Sequence, residues 1–132
     1  SDFKKTNDFD TTMCVMKSKK GVLVHINNSR RAVYGYDQRL EVFGSKGMLI
    51  SDNVSAYNIN SYNQNISFAK HPIKNFFIER YADAYHIQFD DFLNSIKSNK
   101  KPKVSFNDGK EALILADCAT QSVKLNKLIK VK

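Results

Sequence analysis

The side chains best suited to hold a metal, or to act as nucleophile and base, are three histidines (His25, His71, His86) and two cysteines (Cys14, Cys118). No two histidines share a metal-ligand spacing, and neither cysteine lies beside a histidine. The sequence holds no G-x-S-x-G, no G-x-x-x-x-G-K-[ST] and no G-x-G-x-x-G. Asp90 and Asp91 are neighbours in sequence, and adjacent helix positions point about 100° apart. They read as a solvated helix face, not as an acid–base dyad. No motif here makes a self-sufficient active site.

One segment concentrates unusual chemistry: Asn28-Ser29-Arg30-Arg31-Ala32-Val33-Tyr34-Gly35-Tyr36-Asp37-Gln38-Arg39-Leu40-Glu41-Val42-Phe43-Gly44-Ser45-Lys46-Gly47-Met48. Of 21 basic residues only four are Arg, and three of those, Arg30, Arg31 and Arg39, fall here. The fourth is Arg80, beside Tyr81. A chain that defaults to Lys uses Arg where planar, bidentate geometry matters. Asp37, Glu41 and Glu79 are the candidate partners, and structural ion pairs are the favoured reading of Arg39 and Arg80. Tyr34-Gly35-Tyr36 followed by Asp37 has two readings. A polyol pocket needs fixed hydrogen-bonding groups at its rim and a flat apolar surface beneath, and tyrosine supplies both. Core packing at a strand entrance fits equally.

The elements around this segment can be read from periodicity. Thr11 to Lys17 and Gly21 to Asn27 are predicted strands, joined by a Ser18–Gly21 turn into a hairpin. Gln38 to Phe43 alternates, with Leu40 and Val42 on one side and Arg39, Glu41 and Phe43 on the other. Gly44-Ser45-Lys46-Gly47 turns it back into Met48 to Ser51. Residues 53–69 predict one or two weaker strands. From Ile78 the apolar period becomes helical: Tyr81, Tyr85, Phe89, Phe92 and Ile96 extend one stripe to about residue 98, ended by Lys100-Lys101-Pro102. A second helix is predicted from Asn107-Asp108, with Asp108 and Glu111 as a capping box. Its expected buried face is Ala112, Leu115, Ala116, Ala119 and Val123. Strands first and helices last predict an α+β fold, with an open, mainly antiparallel sheet and helices on one face. Apolar residues on both sides of several strands predict a partner for the second face.

The 132 residues fit one domain, with 42% hydrophobic and 11% aromatic residues. The start is polar and is not Met, which fits an excised fragment with no export signal, and a cytoplasmic setting is expected. No apolar run approaches the ~20 residues of a membrane span. Cys14 and Cys118 are therefore expected as buried, reduced thiols. The net charge of +8 invites a nucleic-acid reading, but the lysines are scattered and no recognition motif accompanies them. Lys-rich composition explains the charge, and neither a nucleic-acid nor a membrane partner is expected.

The run Ser29 to Met48 (S-R-R-A-V-Y-G-Y-D-Q-R-L-E-V-F-G-S-K-G-M) closely resembles the glucose–fructose oxidoreductase / inositol dehydrogenase (Gfo/Idh/MocA) family, and within it the inositol 2-dehydrogenases. Asp8-Phe9-Asp10-Thr11 upstream, and F-x-E-R-Y-x-x-A-Y, K-P-x-V and D-G-x-x-A-L-x-L-A-D-x-A-x-x-S downstream, extend the resemblance from about residue 8 to the end. The resemblance implies two domains in the whole enzyme. An N-terminal nucleotide fold would bind NAD or NADP. A C-terminal antiparallel sheet would contact an inositol, polyol or sugar and form a homo-oligomer through its exposed face. It further implies Tyr36 and Tyr81 as substrate-facing residues, followed by Tyr34, Asp37 and Arg30.

The sequence departs from the family in lacking both the nucleotide fingerprint and the D-x-x-x-H pair that supplies the catalytic base. The resemblance thus implies a single C-terminal substrate-binding and oligomerisation domain (residues 1–132). Such a domain carries no catalytic residue, binds no cofactor or metal, and is inactive alone. A sugar-binding or oligomerisation module without catalysis is the alternative.

Overall fold

The structure is a computed structural model, and it describes residues 5–6 and 8–131. Among the described residues the named elements run as six strands followed by three helices, so the α+β class expected from the sequence is the one observed. The strands are β1 (Thr11–Lys17), β2 (Leu23–Ser29), β3 (Leu40–Gly44), β4 (Gly47–Ser51), β5 (Asn60–Asn63) and β6 (Ile66–Lys70). They form three two-stranded ladders, β1-β2, β3-β4 and β5-β6. The helices are α1 (Phe77–Arg80), α2 (Ala82–Ser98) and α3 (Phe106–Leu125). The chain divides into two compact units. One gathers the residues up to Met13 with Asn27–Asp83, and the other Cys14–Ile26 with Ala84 onward. The β1-β2 hairpin contributes residues to both.

In the first unit, β3 and β4 pair antiparallel from Leu40↔Ser51 to Gly44↔Gly47, across a two-residue turn. This register puts Leu40, Val42 and Leu49 on one face, and Phe43, Met48 and Ile50 on the other. All six are exposed, Phe43 and Leu49 at 82% and 76%. Both faces of the hairpin are therefore apolar and uncovered. The weaker strands expected in residues 53–69 are β5 and β6. Their register shifts between Ser61 and Asn63, where Phe68 takes a left-handed backbone (φ 65°). A bulge of this kind lets an extra residue into one strand. Tyr62 and Phe68 meet edge-on across it at 6.1 Å.

Beyond β6 the chain runs back along two other segments. Lys74 N–H donates to the Val54 carbonyl at 3.0 Å, Ser55 bridges Ile73, and Tyr36 N–H donates to the Lys74 carbonyl at 2.9 Å. The Tyr34–Tyr36 turn is thus tied to Lys74 through one backbone bond, and residues 73–74 in turn to Val54 and Ser55. The single predicted helix over residues 78–98 proves to be two, because Tyr81 (φ −108°, ψ 12°) leaves helical geometry between α1 and α2. The apolar stripe runs through the break without revealing it. Periodicity reports which face is apolar, and one non-helical residue barely alters that count.

The second unit holds the turn of the first hairpin, most of α2, and α3. Ser18 closes the turn through both its carbonyl and its hydroxyl, and Gly21 (φ 85°) supplies the left-handed residue. Strand β2 begins two residues later than the alternation suggests, at Leu23. Helix α2 ends on a left-handed Asn99 (φ 50°), and Lys100 N–H reaches back to the Ser95 carbonyl at 3.0 Å. The predicted capping pair Asp108/Glu111 is replaced by Ser105/Asp108. Ser105 is the N-cap, and the Asp108 carboxylate accepts its backbone N–H at 2.7 Å and its hydroxyl at 2.8 Å. The motif was present, three residues earlier than expected, as Ser-x-x-Asp.

The expected buried face of α3 also needs correction. Leu115 and Val123 are 40% and 58% exposed, and the half-buried positions are Ile114, Cys118, Ala119 and Ser122. Cys14 and Cys118 are free thiols, as expected, but half-buried instead of buried. Both line one cavity of about 200 Å³, with Met16 of β1 and Leu128 of the tail. Among the described residues no hydrophobic side chain is fully buried, and no helix is long and apolar enough to cross a membrane.

Candidate functional site

The first unit brings together most of the residues singled out from the sequence. Gly35 makes the arrangement possible. Its φ of +130° suits glycine, and a Cβ there would lie 2.4 Å from Ile73 Cγ1 and 3.2 Å from the Ile73 carbonyl oxygen. The close approach lets Tyr34 and Tyr36 leave the turn in different directions. Tyr34 turns to Asp37, with its hydroxyl donating to Oδ2 at 2.5 Å. Tyr36 instead meets Tyr81 edge-on, with ring centroids 5.7 Å apart and planes at 80°.

Asp37 is the hub of a hydrogen-bonded cluster. Arg39 donates to it twice, Nε to Oδ1 and Nη2 to Oδ2, both at 2.8 Å, and Asn53 Nδ2 donates to Oδ1 at 2.7 Å. With Tyr34 that makes four donors to two oxygens. Bonding first to Arg39, then to Tyr34 and Asn53, holds the Asp37 carboxyl well below the usual carboxylate range. The same Asp37–Tyr34 bond pushes the Tyr34 phenol upward, and Asp37 raises Arg39. The expected structural pairing of Arg39 is therefore present, with Asp37 as its partner.

A second cluster adjoins the first. The Tyr81 hydroxyl donates to Gln38 Oε1, beside the Tyr36 ring that meets its own edge-on. Burial, and then this contact with Tyr36, pushes the Tyr81 phenol above its ordinary value. The Arg80 guanidinium carbon stands 5.4 Å from the centre of the Tyr81 ring, so this Arg meets an aromatic face as well as offering charge. The Gln38 backbone N–H is tied to Asn53 Oδ1 at 2.8 Å, which links the two clusters.

Arg30 lies with the strand-opening acids. It donates to Asp8 Oδ2 at 2.8 Å, and Arg31 Nε pairs with Asp10 Oδ2 at 2.8 Å. The Asp8-Phe9-Asp10 motif and the Ser29-Arg30-Arg31 motif thus meet as ion pairs. Sequence reasoning named six of the cluster residues, Tyr34, Tyr36, Asp37, Arg39, Arg80 and Tyr81, and missed the roles of Gln38 and Asn53. Gln38 lay inside the quoted run and could have been found from its spacing to Tyr36. Asn53 carries no sequence signal, because its role depends on a turn returning it to residue 37. Among the described residues no three His, Cys, Asp or Glu gather as metal ligands.

An edge-on tyrosine pair, a fixed amide and a rigid acid–guanidinium frame form a surface that combines flat aromatic rings with hydrogen-bonding groups held in place. The profile of the oxidoreductase family's C-terminal alpha/beta domain matches residues 2–132. The chain therefore belongs to the glucose–fructose oxidoreductase / inositol dehydrogenase family. The myo-inositol 2-dehydrogenase of Thermotoga maritima is 41% identical to it over 128 residues, 97% of this chain and 38% of that protein. The crystal structure of a myo-inositol dehydrogenase from Corynebacterium glutamicum superposes with a TM-score of 0.93 at 36% identity, covering 100% of this chain and 40% of that one. A Lactobacillus casei myo-inositol dehydrogenase, solved in complex with NAD(H) and myo-inositol, gives 0.75 at 26% identity, over 95% of this chain and 37% of that one. The chain thus spans about two-fifths of the length of the relatives it matches.

Proposed function

We propose that this chain is the substrate-side portion of an NAD- or NADP-dependent dehydrogenase acting on inositol or a related polyol, in the cytoplasm. The observation that carries the reading is the Tyr36–Tyr81–Gln38 cluster, held in place by the saturated Asp37 frame. The ring of Tyr36 offers a flat surface to the C–H face of a polyol. The hydroxyl of Tyr36 offers a donor and an acceptor at its edge, and that of Tyr81, whose proton goes to Gln38, an acceptor. Tyr34, Asp37 and Arg30 act behind them, by shaping the loops that present the tyrosines.

The residues present do not fit a nicotinamide cofactor. The five glycines, Gly21, Gly35, Gly44, Gly47 and Gly109, form no G-x-G-x-x-G between strand and helix, so no phosphate cradle arises from them. The reactive chemistry is assigned to a nucleotide-binding domain of the complete polypeptide. This portion alone is proposed to orient hydroxyl groups and to turn nothing over. The two uncovered faces of the β3-β4 hairpin support packing against the rest of that polypeptide on one side and a second copy on the other.

The test uses the complete polypeptide, with dinucleotide reduction followed against a panel of inositols, sugars and linear polyols. Polyol-dependent reduction is expected. Tyr36→Phe keeps the ring and removes one hydrogen-bonding group, so the polyol KM should rise about fivefold to tenfold. A wild-type polypeptide that oxidises no polyol with either dinucleotide refutes the assignment.

A further inference from the structure

Hydrogen-bond accounting at the site identifies the group left to meet a ligand. Both oxygens of Asp37 are filled, each by two donors. Tyr34 gives its proton to Asp37. Asn53 uses Nδ2 on Asp37 and Oδ1 on the Gln38 backbone. The Tyr81 hydroxyl gives its proton to Gln38. Gln38 differs from all of these. Its oxygen is taken by Tyr81, whereas Nε2, with two N–H donors, makes no hydrogen bond among the described residues. Gln38 is also exposed, two positions from Tyr36 on the same strand-like approach.

We propose that Gln38 is a specificity-determining residue of this site, whose side-chain NH2 donates to one hydroxyl of the bound polyol. Tyr81 sets that polarity. By occupying Oε1 it fixes which end of the amide faces outward, and the backbone bond to Asn53 fixes where the amide stands. A free amide can rotate by 180° and offer either donor or acceptor. This one offers a donor only, at one place. A site built to bond a particular hydroxyl discriminates against ring epimers that point it elsewhere, because the donor is then left unpaired. The proposal rests on the dehydrogenase reading and adds to it the residue that reads hydroxyl configuration.

The experiment compares Gln38→Glu and Gln38→Leu with the wild type in the complete polypeptide. Steady-state kinetics are measured on pairs of inositol epimers that differ at one hydroxyl. Gln38→Glu keeps an oxygen for Tyr81 but replaces the outward donor with a charged acceptor. Both variants should lose about tenfold in kcat/KM for the preferred epimer, and the wild-type ratio between epimers should fall toward one. Tyr81→Phe, which frees the amide to rotate, should narrow the same ratio while Gln38 remains. Gln38 variants that keep the wild-type epimer ratio, on a wild type that does turn over polyols, overturn the role of Gln38 and leave the dehydrogenase reading standing. A wild type inactive on every polyol removes both. Should Gln38→Leu fold poorly by circular dichroism, Gln38→Glu decides alone, since it preserves shape and the Tyr81 bond.

Discussion

Asp37 shows how a residue typed as a substrate contact from sequence can serve better as a frame. A carboxylate that accepts four hydrogen bonds has no lone pair to spare for a ligand. Its worth lies in holding Tyr34, Arg39 and Asn53 together, and through Asn53 the backbone of Gln38. Asp37→Ala leaves four donor groups on three residues unpartnered, and a loss of about 2 kcal/mol in denaturant unfolding is expected. The pH dependence has a definite sign. Because the folded carboxyl titrates below its ordinary value, its stabilisation is fully present above about pH 4. It is lost as pH falls through the lower, folded value. The stability gap between wild type and Asp37→Asn should therefore be constant near neutrality and shrink only in strong acid. A gap that closes already at about pH 6 would contradict the cluster. The exposed pairs Arg30–Asp8 and Arg31–Asp10 belong to a weaker class, each worth no more than about 1 kcal/mol.

At the scale of elements, two local devices position everything else. The first is the Gly35 turn, whose glycine is the one buried residue among those described, and Ile73 packs where a side chain would go. Gly35→Ala adds both a steric clash and an unfavourable φ. It should cost about 2 kcal/mol or more and disturb the near-ultraviolet circular dichroism of the neighbouring tyrosines. The second is the Ser105/Asp108 cap on α3. Asp108 has its pKa lowered by these bonds to Ser105, so the ionised form does the capping. Asp108→Ala should weaken α3, read as earlier thermal loss of helical circular dichroism. Glu111→Ala, at the position first suspected, should have little effect.

For the whole molecule, the decisive observation is how little the chain covers. Its 42% hydrophobic residues include none that is fully buried among those described, although a domain of this length can ordinarily bury a core. The β3-β4 hairpin carries the problem in its register, since both of its faces are apolar. At roughly 25 cal/mol per Å² of apolar surface, covering such faces is a strong drive for association. In the complete polypeptide, Phe43→Lys and Leu49→Lys probe one face each. At least one should lower the sedimentation coefficient by disrupting the contact with a second copy. If neither does, both faces are covered from within one polypeptide.

The sequence by itself determined the α+β order, β1, β3 and β4 to within a few residues, the Arg–Tyr–Gly–Tyr–Asp segment as the informative one, and the family. These follow from alternation, turn residues and motif spacing, which are local properties of the chain. Only the tertiary structure decided that Tyr36 faces Tyr81 across 45 residues of chain, that Asn53 returns to Asp37, and that Gln38 is left with its donor outward. Those pairings depend on where distant turns bring the backbone back. The break at Tyr81 was likewise hidden, because a single non-helical residue leaves the apolar stripe intact.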